Sequence, residues 1–267
     1  MKTLIIINGV TGAIGSACLA RFSREHDTTI IGLSRQAPHV DTFCIDGYLP
    51  DSTLICSIGD ISEKTHCEHF SQKICGGVYE KIIYIHAVGL YPFELDSKGN
   101  INISHDDDHD GIDDRVVKLS YHAFFGMTHA LENIGLPLSA LIFGGIADKF
   151  KPSVHTSWWR VMEQVKEHMK KEAVISDTTS YFVLNISSVI CPHELITRPF
   201  VFQKTNADPM FWLMPHEVAE QTASLVFSKK KGFVEDEIFH KANYYEDDHF
   251  TEEKFITRKM HELGFAK

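Results

Sequence analysis

Apolar residues in this chain fall into short unbroken runs, separated by stretches whose apolar positions recur at helical spacing. Leu4–Ile7 is apolar at every position, as a strand buried on both faces requires. Thr28–Leu33, Leu54–Ile58, Lys81–Ile85, Ala140–Phe143 and Tyr181–Ile186 read as further strands. Between them, Ile14, Cys18, Leu19 and Phe22 form one helical stripe. A helix is expected from Ser62 to Cys75, with Ser62 as its N-cap. A long helix fits Asp113–Asn133, through Val116, Val117, Leu119, Phe124, Met127 and Leu131. Val154–Ala173, His216–Phe227 and Thr251–Leu263 complete the helices. Strands alternating with helices in this way mean βαβ units and a parallel sheet. The expected fold is a single Rossmann-like, doubly wound α/β domain over residues 1–267. Residues 90–112 interrupt the alternation as a loop insertion. Residues 191–215 hold four prolines and read as irregular.

Composition narrows the class. The chain has 267 residues, 43% hydrophobic and 23% charged, an ordinary globular balance. A net charge of -10 argues against nucleic-acid binding, which needs a basic field. No stretch approaches the roughly 20 apolar residues that span a bilayer, and Leu4–Ile7 is too short for a signal segment. The six cysteines show no CxxC spacing, so reduced structural thiols and a cytoplasmic location are expected.

The candidate chemistry begins at Asn8-Gly9-Val10-Thr11-Gly12-Ala13-Ile14-Gly15, between the first strand and the first helix. Glycines there permit a tight turn and close approach of a pyrophosphate, and a helix N-terminus supplies N–H groups for phosphate. Gly9, Thr11, Gly12, Ala13, Ile14 and Gly15 are therefore candidate cofactor contacts. The second strand ends at Ser34-Arg35. An acidic residue near there would suit the 2′-hydroxyl of NAD, whereas an arginine suits the 2′-phosphate of NADP. NADP is the expected cofactor, held in part by Ser34 and Arg35.

With these residues in view, the chain resembles the short-chain dehydrogenase/reductase superfamily over about residues 3–230. The turn is similar to the family's glycine motif, spaced GxxGxxG. Ile58-Gly59-Asp60-Ile61 resembles the acidic motif after strand three, which implies that Asp60 and Ile61 face the adenine. His86-Ala87-Val88-Gly89 resembles the Asn-Asn-Ala-Gly motif after strand four and adds His86, Ala87, Val88 and Gly89 to the implied cofactor contacts. Ser120 stands where the family's catalytic Asn usually does, and Pro215-His216-Glu217-Val218-Ala219 resembles the opening of a late family helix. The resemblance implies an oxidoreductase that forms a homodimer or homotetramer on its fourth and fifth helices. It also implies that residues 191–215 close over the substrate.

The family's acid–base residues are missing. Its spacing puts Gly145 at the Ser position, Trp158 at the Tyr position and Met162 at the Lys position, and no Tyr-x-x-x-Lys occurs in the chain. Tyr91 and Lys98 have the spacing of enoyl reductases but follow the wrong strand. A positioned acid accelerates carbonyl reduction by about 10²–10⁴-fold, and neither indole nor thioether supplies a proton. Trp158, Val161, Met162, Val165 and Met169 make one apolar stripe, as a packed helix would. His155 and Ser120 are the candidate catalytic residues by position.

Two functions from different classes follow. One is an NADP-dependent oxidoreductase acting on a small hydrophobic carbonyl or enone. The other is a non-catalytic NADP-binding sensor or scaffold, or the inactive subunit of a hetero-oligomer. Phe200, Phe202, Met210, Phe211, Trp212 and Met214 favour a hydrophobic substrate or partner at residues 199–214. The acidic run His105–Asp110, like Asp247-Asp248-His249, reads as solvated charge, and no metal site is expected. Lys229-Lys230-Lys231 reads as a helix C-terminus complementing its dipole.

Overall fold

The computed structural model describes residues 2–42, 51–74, 79–90, 106–149, 151, 156–187, 189 and 213–239. Seven parallel strands form one sheet in the order β3-β2-β1-β4-β5-β6-β7. They are β1 (Thr3–Asn8), β2 (Thr28–Leu33), β3 (Thr53–Cys56), β4 (Lys81–His86), β5 (Leu138–Gly145), β6 (Thr179–Ile186) and β7 (Phe233–Ile238). The strand order reverses between β1 and β4, so the crests of these two strands border the crevice where such folds take ligands. Among the described residues, no helix is long and apolar enough to cross a membrane.

Every residue of β1 and β2 is buried, and strand alternation splits them between two layers. Leu4, Ile6, Ile82, Tyr84, Ala140, Ile142, Tyr181 and Val183 pack on one face. Ile5, Ile7, Ile83, Ile85, Leu141, Phe143, Phe182 and Leu184 pack on the other. A one-residue slip would exchange the two sets, so both layers fix the register together. The first face is covered by α2 (Lys64–Ile74), α4 (Ala123–Glu132) and α5 (Thr156–Ile175), the second by α1 (Ala13–Phe22) and α6 (Pro215–Val226).

The six strands expected from sequence are present, and β7 is an addition. Phe233-Val234-Glu235-Asp236-Glu237-Ile238 carries three acids in six residues, which hides it from a search for apolar runs. It is an edge strand, where charge discourages pairing with other chains. Three local expectations are corrected. Ser62 does not cap α2: the helix starts at Lys64, and the Ser62 hydroxyl donates to Asp60 Oδ1 at 2.7 Å. The Asp113–Asn133 stretch is not one regular helix. It comprises α3 (Asp114–Val116), a π-helical turn (Val117–His122) and then α4. The inserted residue shifts the phase, so Ser120 is buried while Val117 and Leu119 are only partly so. Lys229–Lys231 lies past the end of α6 at Val226 rather than in its last turn. The C-terminal helix expected at 251–263 and the segment 190–212 lie outside the described residues.

The described cysteines Cys18, Cys56 and Cys67 are free and buried. Burial pushes their thiols up to about 12, 11 and 12 respectively, which leaves them inert as nucleophiles at neutral pH.

Candidate functional site

The glycine turn hangs from the end of β2: the Gly9 and Val10 N–H groups both donate to the Leu33 carbonyl, at 3.1 and 3.3 Å. Its three glycines serve different purposes. Gly9 has φ +79°, and a Cβ there would lie 2.7 Å from the Ala87 carbonyl oxygen. A Cβ on Gly15 would lie 2.1 Å from the Gly9 carbonyl oxygen. Both are needed simply to pack α1 against the crests of β1 and β4. Gly12 differs: it is exposed, and a Cβ there would meet only the Gly9 carbonyl oxygen, at 3.3 Å. Its missing side chain leaves the outer side of the turn clear.

Gly12 is the N-cap of α1, in extended conformation, with no side-chain hydrogen bond to the cap and no acidic residue in the first turn. The opening N–H groups of a helix lack intrahelical acceptors, and the dipole there favours an anion. By contrast, the N-terminus of α6 is closed by its own Glu217, whose carboxylate accepts from the Met214 N–H at 2.7 Å. The α1 crest therefore fits a pyrophosphate in shape, donors and field. Thr11 is exposed at its rim, with Ala13 and Ile14 half-buried in the first turn.

Ser34 and Arg35 follow β2 on the same side of the sheet. Arg35 is exposed, and the Ser34 hydroxyl accepts from the Gln36 N–H at 3.4 Å. Asp60 follows β3. Its Oδ1 accepts from the Ser62 N–H and hydroxyl, and its Oδ2 lies 2.8 Å from Lys118 Nζ. Partial burial pushes this carboxyl up, but the bonds from Lys118 and Ser62 outweigh it and hold it down to about 2. The pair ties the crest of β3 to the π turn. Ile61, beside it, packs against the core.

His86, at the end of β4, is wholly buried. Its Nε2–H donates to the Leu119 carbonyl at 2.8 Å, and Nδ1 lies 2.8 Å from the Tyr84 hydroxyl and 3.1 Å from Asn8 Nδ2. The π turn makes this possible. There the Ala123 N–H goes to the Lys118 carbonyl, and the Leu119 carbonyl is turned toward His86. Burial lowers the His86 pKa to about 4, so the ring is neutral at pH 7 and works as a brace rather than an acid. Ala87, Val88 and Gly89 continue from it along the crevice, anchored by the Ala87 N–H on the Asn8 carbonyl at 2.9 Å. Ser120 is fully buried, with a hydroxyl that has no hydrogen-bond partner among the described residues. His155 lies outside the described residues.

The α5 stripe packs as its spacing predicts: Val161, Met162, Val165 and Met169 are sealed in the core and Trp158 is nearly so. The Trp158 ring lies against Gly89, where a Cβ would stand 3.4 Å from it. The indole thus walls the crevice beside Gly89.

A polar cluster beside this wall went unread in the sequence. Asp148, in the 3₁₀ turn after β5, is buried and accepts from the Gly145 N–H at 3.1 Å. Lys166 of α5 reaches Asp148 Oδ2 at 3.5 Å, Asn185 Oδ1 at 3.1 Å and Glu235 Oε1 at 2.9 Å. Asn185 Nδ2 donates to Glu235 at 2.7 Å. Burial pushes the Asp148 carboxyl up to about 6, against the pull of Lys166, the Gly145 N–H and the Trp158 indole. The sequence signals were a lysine beside the apolar stripe of α5 and a single asparagine within the apolar run of β6.

No family model and no curated protein matches this chain. Solved structures do. A short-chain dehydrogenase/reductase of the glucose/ribitol dehydrogenase type from Brucella melitensis superposes with TM-score 0.62 at 15% identity, covering 89% of this chain and 94% of that one. The ligand-free aldohexose dehydrogenase of Thermoplasma acidophilum gives 0.61 at 13% identity, covering 89% and 92%. The alcohol dehydrogenase of Thermococcus sibiricus, complexed with 5-hydroxy-NADP, gives 0.63 at 14% identity, covering 90% and 97%. The fold is that of the short-chain dehydrogenases/reductases.

Proposed function

We propose that this chain binds NADP(H) along the crests of β1 to β4 and acts as an oxidoreductase on a small hydrophobic carbonyl compound. The observation that carries the reading is the uncapped, side-chain-free start of α1 at the reversal of strand order, with the exposed Arg35 beside it. The first turn of α1 takes the pyrophosphate, and Arg35 the 2′-phosphate. Asp60, Ile61 and Ala87–Gly89 border the adenine and ribose. The nicotinamide cofactor, when bound, supplies the hydride. Reduction of a carbonyl then needs one proton on oxygen to give the alcohol. Asp148 is the candidate donor: at about 6 its carboxyl keeps a protonated fraction at neutral pH, and Lys166 is placed to stabilise the carboxylate left behind. The reading is supported by a structural neighbour, the Thermococcus sibiricus alcohol dehydrogenase, which is complexed with 5-hydroxy-NADP.

A second reading, binding without chemistry, is favoured by Trp158. The resemblance's spacing puts Trp158 where the acid would stand, and both Trp158 and Met162 are sealed from solvent. One experiment separates the two. NADPH is mixed with the protein and a panel of hydrophobic aldehydes, ketones and enones, and loss of reduced nicotinamide is followed. Turnover that falls in Asp148→Asn supports the first reading. Tight NADPH binding with no turnover on any substrate supports the second, and absence of NADPH binding rejects both.

A further inference from the structure

Two histidines and a glutamate converge between α4 and α5. His129 comes from α4; His168 and Glu172 lie one turn apart on α5. One ligand atom from each lies within 4.8 Å of the others, and all three residues are half-buried. We propose that His129, His168 and Glu172 form a binding site for a divalent transition-metal ion of the Zn²⁺ class.

Two histidines and one carboxylate are a donor set that suits zinc, with a fourth position left for water. Imidazole selects against Mg²⁺ and Ca²⁺, which prefer oxygen ligands throughout. The spacing is close to what an ion needs. Donor atoms around tetrahedral zinc stand about 3.3 Å apart, from bonds of roughly 2.0–2.1 Å. His168 Nε2 and Glu172 Oε1 are already 3.1 Å apart. Only the His129 ring has to close in, by about 1.5 Å at most.

The surroundings hold the central ligand in place. The Tyr121 hydroxyl is hydrogen-bonded to His168 Nδ1, so Nε2 is the atom left to face Glu172 and an ion. A partner on the second ring nitrogen is the usual support of a metal-binding histidine. The His168 ring is also stacked on Phe125, with centroids 4.1 Å apart and planes at 21°. Phe125 lies one turn before His129 on α4, so one aromatic wall backs both histidines. A plain i,i+4 ion pair between His168 and Glu172 would need neither Tyr121 nor His129. The convergence of the π turn, α4 and α5 on one point is what distinguishes a site from a surface pair.

The test is Zn²⁺ titration of the metal-free protein in competition with a chromogenic chelator, on the wild type and four variants. The expected result is one Zn²⁺ per chain. Affinity should fall more than about 100-fold in His129→Ala and in Glu172→Gln, and about tenfold in Tyr121→Phe, where only the support of His168 is removed. His122→Ala, an exposed histidine on the same stretch, should bind as the wild type does. Thermal unfolding of each metal-free variant confirms that it is folded. No stoichiometric binding by the wild type overturns the proposal. So does unchanged affinity in His129→Ala and Glu172→Gln, or an equal loss in His122→Ala, since the zinc would then sit on scattered surface histidines.

Discussion

Replacing Gly12 and Gly15 separately by alanine should divide the glycine turn into a part that folds and a part that binds. A Cβ on Gly15 would stand 2.1 Å from the Gly9 carbonyl oxygen, 2.7 Å from its carbon and 3.0 Å from Val10 Cα. All three are backbone atoms, so no side chain can rotate away, and α1 must move off the strand. Forced overpacking costs about 1–3 kcal/mol, and the helix propensity of alanine returns at most about 1 kcal/mol. At Gly12 the single contact is 3.3 Å and the backbone is extended, which alanine accepts. Losing a favourable N-cap residue costs up to about 1 kcal/mol. Thermal unfolding should therefore show the larger loss for Gly15→Ala, up to about 2 kcal/mol at about 2–4 °C per kcal/mol for a domain near this size, and at most about 1 kcal/mol for Gly12→Ala. NADPH titration should show the opposite order for Gly12→Ala: near-native stability with weakened binding, because its methyl group projects where the phosphate approaches. Equal stability losses for both variants, or unchanged NADPH affinity in Gly12→Ala, would refute the division.

Three further outcomes are expected. Asp148 has its carboxyl raised from 3.8 to about 6 by burial, so the folded state binds the extra proton between those values. Stability should then fall as pH rises from about 4 to 6 and stay reduced above, by about 3 kcal/mol. Urea unfolding across this range should show the difference between wild type and Asp148→Asn changing with pH, and a constant difference would contradict the shift. His86 acts in the opposite sense: its pKa is lowered from 6.5 to about 4, so its contribution is present above about 6.5 and lost as pH falls to about 4. Its imidazole signals in NMR should not titrate between pH 5 and 8, and a midpoint near 6.5 would place the ring in solvent. Met162→Lys, which puts a charge into the apolar stripe of α5, should lower the unfolding midpoint sharply. The site is fully buried among Trp158, Val161 and Val165, and an unpaired buried charge costs several kcal/mol. A stable variant would mean that the crevice reaches Met162.

The central strands were plain in the sequence because a parallel strand buried on both faces must be apolar throughout, as Leu4–Ile7 and Ile82–Ile85 are. The glycine turn was legible for the same kind of reason: Gly9 and Gly15 are demanded by backbone contacts that any such turn makes. β7 was hidden because an edge strand tolerates acids that a central strand excludes. The π turn was hidden because one extra residue shifts the helical phase without changing composition, and Val117 and Leu119 remained plausible core residues. The Asp148, Lys166, Asn185 and Glu235 cluster joins four elements. No local spacing could announce it. The position of His86 at the end of β4 is legible in the sequence, but its role as a brace depends on the Leu119 carbonyl 33 positions away.

The central claim is that an NADP-selective site lies over α1 and Arg35. Calorimetric titration of the wild type and Arg35→Ala with NADPH and with NADH tests it most directly. The account predicts that the wild type prefers NADPH, and that Arg35→Ala loses affinity for NADPH while its affinity for NADH changes little. Equal loss for both cofactors, or no binding of either by the wild type, would contradict it.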